Sequence, residues 1–175
     1  GIASRTVVPS APLNGGALSF SAWVKSIDPT LKANRIFDIG TGQNSDNIIL
    51  GFGSNSGKMY YYVSHGSTQK GRIDVTSVFP TDQWVLVQLV HRAGQTAAEQ
   101  TAEIYWDGVK KISGSIPLPL SVTGRIWYLG KSHWGVDIDF QGSMKQVVFF
   151  NEELKVANLI NNPSFIGGNM PAAGD

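Results

Sequence analysis

Thr101-Ala-Glu-Ile-Tyr-Trp-Asp-Gly-Val-Lys-Lys-Ile112 decides the fold class. Asp107-Gly108 supplies two residues that tolerate positive φ, as a two-residue type I′ turn requires, and β-prone residues flank it on both sides. The stretch reads as an antiparallel hairpin of Thr101 to Trp106 and Val109 to Ile112. Just upstream, Trp84 to His91 is almost wholly apolar, the pattern of a strand in the middle of a sheet. Leu18 to Lys25 alternates instead. Leu18, Phe20, Ala22 and Val24 face one way, and Ser19, Ser21, Trp23 and Lys25 the other. Arg35 to Ile39, Asn47 to Phe52 and Lys58 to Val63 add three strands, and Arg125 to Gly130 and Gly142 to Phe150 close the series at about nine. One short helix is expected late in the chain. Glu152 and Glu153 suit a helix N-terminus, Leu154, Ala157 and Ile160 recur every three residues, and Pro163 would stop it. No strand–helix alternation appears, so doubly wound nucleotide-binding folds are excluded and a sandwich or barrel is expected. Residues 1–162 form the domain, and 163–175 read as an irregular tail.

Composition narrows the function classes without naming one. The chain has 175 residues, the length of one domain, and 42% are hydrophobic, so a core is expected. The 14 basic and 13 acidic side chains leave a net charge of +1 with no block of one sign. That balance argues against nucleic acid as a partner and against an electrostatic membrane anchor. No apolar run approaches the roughly 20 residues a membrane helix needs, so no membrane insertion is expected. Cysteine is absent, which removes disulfides, thiolate metal sites and cysteine nucleophiles. The chain begins at Gly1 rather than Met, which reads as a processed or excised product.

The strand order resembles the laminin-G-like domains of the concanavalin-A-like lectin/glucanase superfamily. Leu18-Ser-Phe-Ser-Ala-Trp-Val-Lys25 is similar to the family's early strand. Arg35-Ile-Phe-Asp-Ile-Gly40 with Asp46-Asn-Ile-Ile-Leu50 is the second element of likeness. Gln83-Trp84 with Ile104-Tyr-Trp-Asp-Gly108 is the third, and Leu129-Gly130, Trp134 and Phe140-Gln-Gly142 the fourth. The resemblance runs over about residues 6–162 and implies an all-β, two-sheet antiparallel jelly-roll sandwich with a short closing helix. It also implies an extracellular or surface-exposed location and a truncated N-terminus. Lys145 and Gln146 stand where the family usually carries acidic residues.

Catalytic patterns are poorly represented. The glucanase Glu-x-Asp-x-x-Glu strand is missing, and Glu99, Glu103, Glu152 and Glu153 are scattered. Ser132 and His133 are adjacent, and neighbours in an extended segment point apart, so they do not form a dyad. No catalytic residue is assigned. Recognition chemistry is better represented. Trp134 lies in a Gly-rich loop with His133 and Asp137, the mix of aromatic face and polar groups that sugars require. Tyr60, Tyr61 and Tyr62 cannot all face a core, and Tyr61 is taken as a ligand contact. Asp46, Asn47 and Asp139 offer loop oxygens of the kind calcium uses, and relatives of the resembled family often bind calcium through such residues. Trp23, Trp84 and Trp106 are expected in the core. The expected function is a non-catalytic recognition module for a glycan or a protein surface, assisted by calcium. The alternative is a structural or assembly domain of a surface, filament or virion particle that packs against copies of itself, with self-association through the tail. A third reading is a glycan-processing enzyme with an unfamiliar site.

Overall fold

Side-chain alternation builds the molecule. A computed structural model describes residues 15–160. Its described residues form ten strands: β1 (Leu18–Ser26), β2 (Arg35–Gly40), β3 (Ile48–Phe52), β4 (Lys58–His65), β5 (Thr68–Val78), β6 (Val85–Arg92), β7 (Thr101–Trp106), β8 (Val109–Ser115), β9 (Ile126–Leu129) and β10 (Gly142–Phe150). They pair antiparallel into two five-stranded sheets. The front sheet runs β5-β4-β3-β2-β9 and the back sheet β10-β1-β6-β7-β8. The apolar β6 is the central strand of its sheet, as its composition demands. The Asp107-Gly108 turn has φ of 51° and 77°, the two positive values of the type I′ hairpin.

The inward row of β1, Leu18, Phe20, Ala22 and Val24, is buried. It meets Phe37, Ile39, Leu50 and Phe52 from the front sheet in one core. Phe20, Phe37 and Phe149 pack edge-on or tilted, with centroids 4.9–5.1 Å apart, and so tie the sheets together. Each such side chain contributes on the order of 1.5–3 kcal/mol by burial. One polar bridge crosses this core. Tyr61 of β4 lies 3.0 Å from His91 Nδ1 of β6, and His91 Nε2 lies 2.9 Å from the Ile116 carbonyl. That carbonyl can only accept, so Nε2 carries the proton and Nδ1 accepts from the Tyr61 hydroxyl.

Three sequence expectations change. Thr68–Val78 is a tenth strand; only Ile73 and Val75 of it are buried, because it forms the polar edge of the front sheet. The helix α1 begins at Val156 (Val156–Ile160), after the glutamates. Glu153 instead pairs with Arg92, and the Glu152 carbonyl accepts from Ser19 Oγ, so these residues strap the chain across the back sheet. Trp106 is a core residue, whereas Trp23 and Trp84 are half-buried, and Trp84 carries Lys145 4.4 Å above its ring. The irregular tail at 163–175 lies outside the described residues. No helix among the described residues is long and apolar enough to cross a membrane.

The Phe140-Gln-Gly142 motif has a steric cause. A Cβ at Gly142 would stand 2.0 Å from the Lys25 carbonyl oxygen and 2.9 Å from the Phe140 ring. Gly142→Ala must push β10 off β1, and is expected to cost about 1–3 kcal/mol in urea unfolding. A midpoint equal to that of the parent chain would refute the packing argument.

Candidate functional site

The loop from β9 to β10 folds back over the outer face of the front sheet. Asp38 explains why. Phe37 and Ile39 point inward, so the alternate residue Asp38 points outward from β2, beside Ile49 and Tyr128 on the neighbouring strands. A carboxylate in an apolar strand needs partners. Asp38 is fully buried and has them. Asn47 Nδ2 donates to Oδ1 at 2.9 Å, and the His133 backbone N–H donates to Oδ2 at 2.9 Å. His133 Nδ1 lies 2.9 Å from Oδ1, out of line for a hydrogen bond, and the imidazole side chain is 4% exposed. The ring rests against Tyr128, with centroids 4.5 Å apart.

A second set of bonds fixes the rest of the loop. Ser132 Oγ donates to Asp137 Oδ2 at 2.8 Å and accepts from the Trp134 N–H at 3.1 Å. Arg35 Nη2 meets the same Asp137 oxygen at 3.0 Å. The Arg35 guanidinium lies 5.6 Å from the Trp134 ring centroid. Burial lowers the Arg35 pKa from its ordinary value, against the pull of Asp137 and Asp38. An arginine starts so high that it stays charged.

Between this loop, the β2–β3 loop and β9 lies a groove of ≈ 700 Å³. Tyr128 and Trp134 give it aromatic walls, and Ile126 gives it an apolar edge. Gln43, Lys131 and Asp139 add polar groups. The Gln43 and Asp139 side chains have no hydrogen-bond partner among the described residues, so their hydrogen-bonding capacity is unspent.

The structure sorts the expected site residues. Trp134, His133, Asp137 and Asp139 all line the groove. Asp137 does so with its carboxylate already engaged by Arg35 and Ser132. Tyr61 does not belong there. It is fully buried between the sheets, because β4 turns its odd-numbered residues inward. The outward tyrosines are Tyr60 and Tyr62, and Tyr60 is capped by Arg72 at 4.0 Å. Two of the residues expected to hold calcium, Asn47 and Asp46, make other bonds. Asn47 is buried, with Oδ1 accepting from Ser45 and Nδ2 donating to Asp38 and Gly42. Asp46 has φ of 54° and accepts the Gly66 N–H through Oδ1, the behaviour of a turn residue. No group of three or more His, Asp or Glu side chains suited to a metal occurs among the described residues. Ser132 and His133 remain separate, since Ser132 Oγ gives its proton to Asp137 rather than to the imidazole.

Arg35 and Asp38 escaped the sequence reading. The signal was present in Arg35-Ile-Phe-Asp-Ile-Gly40, because Asp is depleted in strands and one set among Phe and Ile must be there for its carboxylate.

The fold recurs among solved structures of low sequence identity. The CBM40 domain of the Ruminococcus gnavus IT-sialidase, bound to α2,3-sialyllactose, superposes with a TM-score of 0.66 at 11% identity, covering 90% of each chain. Domain 4 of AbnA, an extracellular GH43 arabinanase of Geobacillus stearothermophilus in complex with arabinotriose, gives 0.61 at 17% identity over 91% of this chain and 81% of that one. A Bacteroides ovatus protein assigned as carbohydrate-binding gives 0.61 at 19% identity over 90% of this chain. The chain spans 42% of that protein's length. A search of curated protein sequences gives no match. A family model covers residues 1–159, and the chain belongs to the family it describes, a laminin-G type within the concanavalin A-like lectin/glucanase superfamily.

Proposed function

We propose that the chain is a non-catalytic glycan-recognition module whose site is the groove beneath the β9–β10 loop. The observation that carries this reading is the half-buried Trp134 in one groove with Tyr128, where the Gln43 amide and the Asp139 carboxylate have no hydrogen-bond partner among the described residues. Aromatic faces take the apolar C–H surface of a sugar, and planar polar groups take its hydroxyls. The loop is held by buried bonds to the sheet, so the groove is formed before the ligand arrives and little ordering entropy is lost on binding. The sugar complexes of the CBM40 domain and the arabinanase domain support the reading by analogy of fold. An extracellular or surface location goes with it, since that is where glycans are displayed.

A glycan array screened with calcium and again with chelator tests the proposal. The expected result is binding to at least one glycan class, weakened at least tenfold by Trp134→Ala, as for loss of a central aromatic contact. Equal binding with calcium and chelator is expected, because Asn47 and Asp46 are engaged elsewhere. No binding in either condition, or binding indifferent to Trp134, would overturn the reading.

A further inference from the structure

Arg35 opens β2 on the outer face of the front sheet. It stands opposite Gly51 of β3, which is paired in turn with Tyr60 of β4. A Cβ at Gly51 would lie 3.2 Å from both Cα and Cδ of Arg35 and 2.8 Å from the Asn34 carbonyl. The bare position therefore lets the arginine side chain lie flat across the sheet. Its guanidinium carbon ends 5.5 Å from the Tyr60 ring centroid and 5.6 Å from that of Trp134. The Arg35 and Asp137 side chains are 9% and 7% exposed, so their ion pair is shielded from solvent and salt.

These contacts close a circuit. Arg35 holds Asp137, Asp137 holds Ser132, Ser132 Oγ holds the Trp134 backbone, and the Trp134 ring returns over Arg35. Every member except Arg35 lines the groove.

We propose that Arg35 is the positioning residue of the groove, fixing the plane and reach of the Trp134 ring so that ligand affinity depends on a side chain outside the groove lining. The affinity part rests on the glycan reading; the part concerning Trp134 does not. Lysine is a poor substitute, because its ammonium is compact and offers no planar face to stack on two rings.

The test uses protein labelled with 5-fluorotryptophan, with Trp134→Phe assigning the Trp134 resonance. In Arg35→Lys that resonance is expected to shift and broaden while those of Trp106 and Trp127 hold. Affinity for the glycan giving the strongest array signal is expected to fall about tenfold, a typical effect for loss of an orienting contact. In a Trp134→Ala background the same substitution is expected to change affinity less than twofold, because the effect passes through the ring. Asp137→Asn, which removes the charge and keeps the shape, serves if Arg35→Lys fails to fold, and the same resonance is expected to move. An unmoved Trp134 resonance overturns the proposal, as does an affinity loss that persists in full without Trp134. A wild-type protein that binds no glycan overturns the glycan reading alone, and the fluorine spectrum still decides whether Arg35 positions the ring.

Discussion

Asp38→Ala is expected to lower the unfolding free energy by about 3–5 kcal/mol and to free the β9–β10 loop. The carboxylate is fully buried, and it takes hydrogen bonds from Asn47 Nδ2 and the His133 backbone, each at 2.9 Å. Bonds to a charged group contribute about 1.5–3 kcal/mol each, and donors left buried without an acceptor lose their solvation as well. Asn47 keeps its bond to the Gly42 carbonyl at 3.0 Å, which limits the loss on that side. The His133 N–H has no such second partner among its described bonds and must turn toward solvent, carrying the loop with it. Urea unfolding measures the stability, and trypsin cleavage at Lys131 reports the loop. Asp74→Ala is the control. That carboxylate is 50% exposed in its pair with Arg72, and removing it is expected to cost under about 1 kcal/mol. A loss below 1 kcal/mol in Asp38→Ala, or a loop no more open to trypsin than in the parent chain, would show that Asp38 does not staple the loop.

The fold was more legible in the sequence than the site. Period-two alternation is set by backbone geometry, so Leu18, Phe20, Ala22 and Val24 announced a buried row, and Asp107-Gly108 announced its turn. The strand that escaped, β5, is a sheet edge whose Lys70, Arg72 and Asp74 face solvent and leave little apolar pattern to read. The loop residues Trp134 and His133 stood out in the sequence, because an aromatic and an imidazole among glycines follow no strand alternation. What holds them was hidden in pairings across 95 to 102 positions, His133 to Asp38 and Asp137 to Arg35. No local pattern reports such a distance. Tyr61 failed for the reciprocal reason. Three consecutive tyrosines say that one side of the strand differs from the other, but only the register of β4 against β3 and β5 says which.

Stability is expected to fall by about 3 kcal/mol between pH 6.5 and pH 4 through His91 alone. Burial between the sheets pushes its pKa from 6.5 down to about 4, with the Ile116 carbonyl pulling weakly the other way. The unfolded chain therefore takes up the proton first as pH falls. The contribution is complete above pH 6.5, declines through the window and levels off below about pH 4. The fall from 6.5 to about 4, at about 1.36 kcal/mol for each tenfold change in proton affinity, gives the size. Glu103 titrates in a lower window. Burial alone would raise its pKa, but bonds from Lys110, Tyr105 and Arg92 outweigh that and hold it at about 2, below its ordinary 4.5. Its contribution is present above pH 4.5 and is lost as pH falls toward 2, so the two residues separate along the pH axis. His91→Gln isolates the first window. Its amide nitrogen replaces the donor to Ile116 and its oxygen the acceptor for Tyr61, with no group that protonates. Urea unfolding of both proteins from pH 7 to pH 4 is expected to show the wild type losing about 3 kcal/mol more than the variant. Parallel profiles, or a folded-state His91 ring that titrates near 6.5 by NMR, would mean that water reaches this bridge and that the core is not closed around it.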